Sequence, residues 1–478
     1  MKFQIINILI AMALVSSCKS FVEVDPPKNQ LVADNLFTDN STATSAIVSI
    51  YSAMINGSGA NPYRIALLTG LSSDELNNNS LSELLLQVYK NNLNPVDAAT
   101  NSVWISSYNF IYQANAVYEG CFNSTGLSPI VKKQLMGEAL FIRAFWHLYL
   151  TNLFGEVPVV LTTDYKLSSK LSRQRVPDVY SQIIKDLIEA KELLQNEYFL
   201  GNSISSTAER VRPNKFSANA LLARAYLYNQ NYEKAISEAT IVINETTKYD
   251  TVSLDNAFLK GSKEAIWQLM RPTPNAGNLN SAEGAYFILT SRPLVDFNNS
   301  STLTDNLLLS FEPGDQRLTR WVSKFSDATV TPKVDYNFPN KYKVKSNSAI
   351  SEYSIVLRLG ELYLIRSEAN ANLGNIGPAI RDLDVIRRRA RLSMLVDQTS
   401  SISKADLLKL ILSERRHELF AEWGHRWIDI KRTGNANAIM SDFAAVKGSV
   451  WDSTKQLWPL PDLEIQNGVN LIQNEGYN

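Results

Sequence analysis

Residues 213–245 read PNKFSANALLARAYLYNQNYEKAISEATIVINE. Leu222, Ala223, Tyr226 and Ala235 stand where a tetratricopeptide unit, two antiparallel helices in about 34 residues, has its consensus residues. Asn219 occupies the usual Trp place and Ala239 the usual Phe place. The small side chains at 223 and 235 are the packing reason for the pattern, because they let paired helices approach closely. A weaker copy runs from Glu361 to Arg391, with Tyr363, Ser367, Ala379 and Leu383 in place and Arg366 and Asn370 departing from it. The copies lie 144 residues apart (Ala223 to Ser367), which argues against a contiguous solenoid.

Helical periodicity continues outward from these units. Trp104, Tyr108, Ile111, Tyr112 and Asn115 share one helix face. A long apolar helix from Val131 to Phe154 halts at Gly155 and Pro158. After Pro177, where a helix could begin, Tyr180, Ile183, Ile184, Leu187 and Leu194 form a stripe. Residues 250–350 lose the period and gather Pro, Gly, Asn and Ser among scattered aromatics, and residues 56–103 are similarly loop-rich. An irregular stretch of that length is usually a functional elaboration. The expected fold class is therefore mostly α: tetratricopeptide-like helix pairs with a long loop-rich insertion half.

At the N-terminus an apolar run from Ile5 to Val15 follows Lys2. It rises only ~16 Å as a helix, half a bilayer core, so it is the h-region of a signal and not a span. It ends in Val15-Ser16-Ser17-Cys18, which resembles the lipobox of bacterial lipoproteins; the alternative is an ordinary secretory signal with an incidental Cys. The expectation is a signal over 1–17, lipidation of Cys18, a tether over 18–30 and one body over 31–478, held to the membrane by its lipid alone. Cys121 would then lack an intramolecular partner and read as a buried thiol.

The 478 residues carry 47 Lys+Arg against 47 Asp+Glu, with two Cys, three His, 20 Tyr, 18 Phe and 8 Trp. Zero formal charge leaves no chain-wide footprint for nucleic acid. So few Cys and His leave little for metal centres or disulfide scaffolds. P-loop, G-x-G-x-x-G and G-x-S-x-G patterns are missing, and His417-Glu418-Leu419-Phe420-Ala421 lacks the second His of a zinc helix. His417 and His425 read instead as polar contacts of a helix pair. Arg387-Arg388-Arg389 with Arg391 reads as charge–dipole contact and salt bridges at a helix end. No spacing marks a glycosidase carboxylate pair. A non-enzyme without cofactor or metal is expected.

Trp104, Phe145, Trp146 and Trp427 sit on helical stripes and read as core. Tyr286, Phe287, Trp321, Tyr336 and Tyr342 have no stripe to explain them. Exposed rings suit sugars, whose pyranose faces offer C–H groups while their hydroxyls need amides and carboxylates. Trp321 lies four residues after Arg317, past the Pro313-Gly314-Asp315 turn, so a helical turn would project both to one side. The candidate ligand contacts are Trp321, Tyr286 and Tyr342 as rings, with Arg317, Asp74 and Asn78 as hydroxyl partners. Asp74 and Asn78 come from the other loop-rich segment.

Longer motifs follow in order: FIRAFWHLYLTNLFGEVP at 141–158, RPNKFSANALLARAYLY at 212–228, RLGELYLIRSEA at 358–369, ERRHELFAEWGHRWIDIKR at 414–432, and LWPLPDLEIQNGVNLIQNEGY at 457–477. With the lipobox, they resemble the SusD/RagB family of nutrient-binding outer-membrane lipoproteins. The resemblance implies four tetratricopeptide-like pairs, near 101–154, 177–245, 352–391 and 405–432, and ligand-face loops near 56–103 and 250–350. It implies a non-catalytic lid at the cell surface that captures oligosaccharide, or in some members peptide, for a SusC-like TonB-dependent transporter. A peptide-binding tetratricopeptide scaffold and, further off, a glycoside hydrolase are the alternatives. No family binding motif matches position by position, so the ligand residues rest on the reading of the rings and polar groups.

Overall fold

Helix α1 (Asn40–Asn56) starts where the Asp39 carboxylate accepts the backbone N–H groups of Ser41 and Thr42. The computed structural model describes residues 36–272, 280–396 and 401–477. The expected signal, Cys18 and tether lie outside the described residues. Helix α2 (Pro62–Ser72) is capped by Asn61. Then come α3 (Asn101–Asn123), α4 (Pro129–Phe154), α5 (Val176–Leu193), α6 (Lys215–Tyr228) and α7 (Tyr232–Ile243). Helices α8 (Leu359–Asn372), α9 (Ile376–Arg389), α10 (Lys404–Leu419) and α11 (His425–Arg432) complete the stack. A helix that is apolar all round is a central one; α4 is buried along almost its whole length and stops at Gly155, whose φ of 81° lets the chain leave. Cys121, on α3, is a buried free thiol, and burial pushes its pKa up to about 12.

The helices pack serially, each against the next from α3 to α11. Ala223 and Ala235 are fully buried between α6 and α7. In the usual Trp place, Asn219 donates to Glu238 Oε2 at 2.5 Å, and Glu238 pairs with Lys191 of α5 at 2.8 Å. The expected break between the two units is corrected: α7 packs directly on α8. The solenoid continues in space although the chain leaves it after residue 243 and returns at 359. Arg366, the departure from consensus, bridges this junction. Its guanidinium holds Asp382 of α9 at 2.8 and 2.7 Å and donates to Thr240 Oγ1 of α7 at 3.1 Å.

The excursion takes part in short antiparallel ribbons, one of them with a strand from before α3. Strand β1 (Leu76–Asn78) pairs with β3 (Ser301–Leu303), β2 (Ala265–Leu269) with β6 (Ser354–Arg358), and β4 (Val322–Asp327) with β5 (Val334–Pro339). Both β2 and β6 are buried at every residue, and β6 runs straight into α8.

Where the excursion meets α9 and α10, charge is buried. Glu418 takes Arg358 Nη1 at 2.5 Å, Arg317 Nη1 at 3.3 Å and the Arg389 guanidinium. Arg358 also holds Glu264 at 2.9 Å and Glu422 at 2.8 Å. Glu422 meets Lys341 at 2.5 Å, and Lys341 Nζ lies 4.0 Å from the Phe420 ring centroid and 4.9 Å from that of Trp321. One turn earlier, Glu414 binds Arg317 at 2.6 Å and Arg387 at 3.2 Å. His417, between Glu414 and Glu418 in sequence, meets Ser310 Oγ at 2.9 Å and stacks on Phe311.

The link from α10 to α11 puts Ala421 (φ 53°), Trp423 (φ 43°) and Gly424 (φ 77°) in the left-handed region. Each non-glycine residue there costs about 1–2 kcal/mol. Glu422's ion pairs and a Trp423 Nε1 bond to Ile355 O at 2.8 Å hold the strained turn. Gly424 is required twice over: its φ is positive, and a Cβ would lie 2.9 Å from Thr69 Cγ2.

Removing one partner of a buried ion network leaves the others uncompensated. Glu418→Ala is expected to lower unfolding free energy by about 3–5 kcal/mol in guanidinium titrations. Lys409→Ala, which breaks an exposed pair with Asp406, should leave the midpoint unchanged. Equal effects of the two changes would refute the structural role of the buried network.

Candidate ligand-binding face

The two loop-rich segments meet through β1 and β3, in the register Leu76↔Leu303, Asn77↔Thr302 and Asn78↔Ser301. The contact extends past the ribbon: Asn79 N–H donates to Ser300 O at 2.8 Å, and Leu81 N–H to Val295 O at 2.9 Å. Asn299 donates from Nδ2 to Tyr286 O at 2.8 Å and Ile288 O at 3.2 Å, tying the Tyr286 segment to the same ribbon. The half-buried Tyr286 ring lies 4.9 Å from that of Tyr63. From the next residue, the Arg64 guanidinium sits 4.2 Å from the Phe297 ring centroid. Partly exposed rings beside amides and a guanidinium form a surface that can stack on one molecule and hydrogen-bond its hydroxyls.

Successive strand residues face opposite ways. Asn77 therefore points away from Asn78 and lines a polar pocket of about 540 Å³ with Asp74, Asn306, Arg416, Arg426 and Asp442. Arg426 grips Asp74 at 2.8 and 2.9 Å, and Arg416 reaches it at 2.9 Å. Burial would raise this carboxyl, but Arg426 and then Arg416 outweigh it and hold the pKa at about 2. Glu75 lies fully buried next to it. Burial, then the charge of Asp74, pushes the Glu75 pKa up to about 7.

Tyr286 and Asn78 are the expected contacts that lie on this face. Trp321 does not: it is fully buried, donates Nε1 to Leu254 O at 2.9 Å and meets Phe258 edge-on at 5.5 Å. The expected helical turn does form, over Gln316–Arg320, but Arg317 also points inward. Its guanidinium has no exposed area and is spent on Asp315, Glu414 and Glu418. Tyr342 is buried with its hydroxyl accepting Ile355 N–H at 2.8 Å. Asp74 forms pocket floor, its oxygens occupied by arginines. Trp321 and Arg317 share one cause: a ring and a charge without a helical stripe pack into the buried ion network, where cations lie over the Trp321 face. Arg64, Phe297 and Asn79 were missed. Phe297 carried the same signal as Tyr286, a ring in the irregular stretch.

A SusD-like family model described as starch-binding and associating with the outer membrane matches residues 20–227, and the SusD family model matches residues 312–477. The chain belongs to the SusD/RagB family. Over its whole length it is 24% identical to a SusD-like protein of Formosa agariphila, all of which is covered, and 22% identical to another over 98% of both chains. A 161-residue stretch, 33% of this chain and 27% of the other, is 30% identical to the starch-binding protein SusD of Bacteroides thetaiotaomicron. Among solved structures, a SusD superfamily protein from Bacteroides vulgatus superposes with a TM-score of 0.77 at 19% identity, covering 92% of this chain and 100% of that one. A laminarin-binding SusD-like protein gives 0.72 at 21%, covering 92% and 99%. Among the described residues of this SusD/RagB member, no helix is long and apolar enough to cross a membrane.

Glu75 supplies a pH test. A carboxyl whose pKa rises from 4.5 to about 7 on folding contributes stability that is full below about pH 4.5 and is lost as pH rises through 7. The urea midpoint should fall by an amount worth a few kcal/mol between pH 5 and 8, and Glu75→Gln should flatten that fall. An equal fall in the variant would place the titration elsewhere.

Proposed function

We propose that this SusD-like protein binds oligosaccharide on the β1–β3 face and delivers it, chemically unchanged, to a SusC-like TonB-dependent transporter in the outer membrane. The observation that carries the reading is the meeting of the two loop-rich segments, which sets Asn78, Arg64 and the Tyr286 and Phe297 rings on linked segments. Membership of a family whose model is described as starch-binding, and the fold shared with a laminarin-binding protein, support a glycan as ligand. The rigid helix stack offers a surface for a permanent protein partner, while loops carry ligand contacts. Lipidation of Cys18 would hold the body near the membrane on a tether reaching about 40 Å when extended.

A stacking ring is worth about 0.5–1.5 kcal/mol beyond the area it buries. Tyr286→Ala should therefore weaken glycan binding roughly 2- to 13-fold in calorimetry against an oligosaccharide panel. Unchanged affinity in a folded variant would remove Tyr286 from the site. Detergent extracts of outer membranes should yield the protein with a β-barrel partner in roughly equal amounts and an acylated Cys18 at its N-terminus by mass spectrometry. Glycan hydrolysis by clean recombinant protein, abolished by one carboxylate substitution, would overturn the non-catalytic reading.

A further inference from the structure

The basic run at the end of α9 divides in two. Arg387 and Arg389 turn inward and are consumed by Glu312, Glu414, Glu264 and Glu418. Arg388 and Arg391 are exposed and pair with no carboxylate among the described residues. With Arg320 they line a pocket of about 530 Å³ whose lining also includes Ser253, Asp255 and Gln316. Charge–dipole attraction explains a cation in the last turn of a helix. It does not explain why Arg320, at the end of the short Gln316–Arg320 helix, and Arg391, past the end of α9, meet Arg388 at one pocket.

Arg391 is the more telling residue. Its N–H donates to Arg388 O at 3.1 Å and Leu392 N–H donates to Arg387 O at 2.9 Å, the paired bonds of a Schellman ending. That ending places Arg391 at φ 63°, a position glycine fills without strain and arginine does not. Strained positions cluster where a side chain is used, and the Arg391 side chain lines the pocket. The pocket is also preorganised. Gln316 N–H donates to Ala390 O at 3.0 Å, and the buried Trp321 pins Leu254 O at 2.9 Å, so its three walls are hydrogen-bonded together. Its floor includes Arg389, whose buried Nε has no acceptor among the described residues.

Of the four lining arginines, Arg389 is spent on Glu264 and Glu418, and Arg320 lies 3.3 Å from Asp255, the one lining carboxylate. Arg388 and Arg391 are left as two unmatched positive charges in a chain that is neutral overall. A planar guanidinium fork fits the two oxygens of a carboxylate or a sulfate ester, and a pocket of this volume accommodates one or a few sugar rings.

We propose that this pocket binds the acidic group, carboxylate or sulfate ester, of an anionic oligosaccharide through Arg388, Arg391 and Arg320. This rests on the glycan-binding reading and narrows its ligand class. Calorimetry with the full soluble body would compare neutral glucan oligosaccharides, oligouronates, sulfated oligosaccharides and inorganic sulfate. One acidic class should bind at least 10-fold tighter than its neutral counterpart, and that advantage should shrink as salt rises. Arg388→Gln with Arg391→Gln should remove the advantage and leave neutral binding unchanged. Arg391→Gly should raise the melting temperature, because strain is relieved, while still weakening acidic binding, a combination that a structural role would not produce. An intact acidic preference in the double variant, or binding of sulfate without any acidic saccharide, overturns this inference and leaves the family function standing. Failure of every oligosaccharide to bind the unaltered protein sinks both.

Discussion

Glu418 carries its charge into a space shared by the guanidiniums of Arg317, Arg358 and Arg389. Desolvating any of these groups singly would cost several kcal/mol, and an isolated buried pair scarcely recovers that cost. Here the carboxylates of Glu264, Glu414 and Glu422 share the same cations, so each group is satisfied by several partners. The participants come from β6, α9, α10, the Gln316 turn and the segment before β2. One network thus fixes the ends of the excursion against the helix stack. It also offsets the left-handed backbone at Ala421 and Trp423, because Glu422 lies between them. The β1–β3 ribbon is tied to the same part of the molecule, since Arg416 and Arg426, which flank this turn, converge on Asp74.

The helical half was legible because its packing is local. Ala223 and Ala235 announce a close helix pair, and the apolar run through α4 announces a central helix. The stacking of α7 on α8 was not legible, because sequence distance hides a tertiary neighbour. Its one trace was Arg366, which looked like a failure of the pattern and is instead the bridge across the junction. The arginines at 387–391 were partly legible: the salt bridges exist, but only the fold reveals that alternate residues point to opposite sides.

In the candidate site, one rule selected Tyr286, which lies on the loop face, and Trp321 and Tyr342, which are buried, whereas Asn78 was selected as an amide of the loop-rich segment. The rule took a ring without a helical stripe for an exposed ring. It holds for Tyr286, which stays half-buried with its ring 4.9 Å from that of Tyr63. It fails where irregular chain closes over buried cations, since Lys341 and the arginines supply a core of a kind that apolar periodicity cannot register. Arg317 was misplaced for the same reason: its acidic partners Glu414 and Glu418 lie on another helix, far along the chain.

The junction of α7 with α8 has an evolutionary consequence. Residues 244–358 leave the stack at one helix and re-enter it at that helix's neighbour, so the excursion has the topology of an insertion whose two ends are held by the host. Doubling the length of a flexible loop with fixed ends costs only about 0.6 kcal/mol in closure entropy. Such a segment can be lengthened, shortened or rewritten by mutation while both splice points keep their packing. The excursion can therefore diversify on a separate course from the helices that support it.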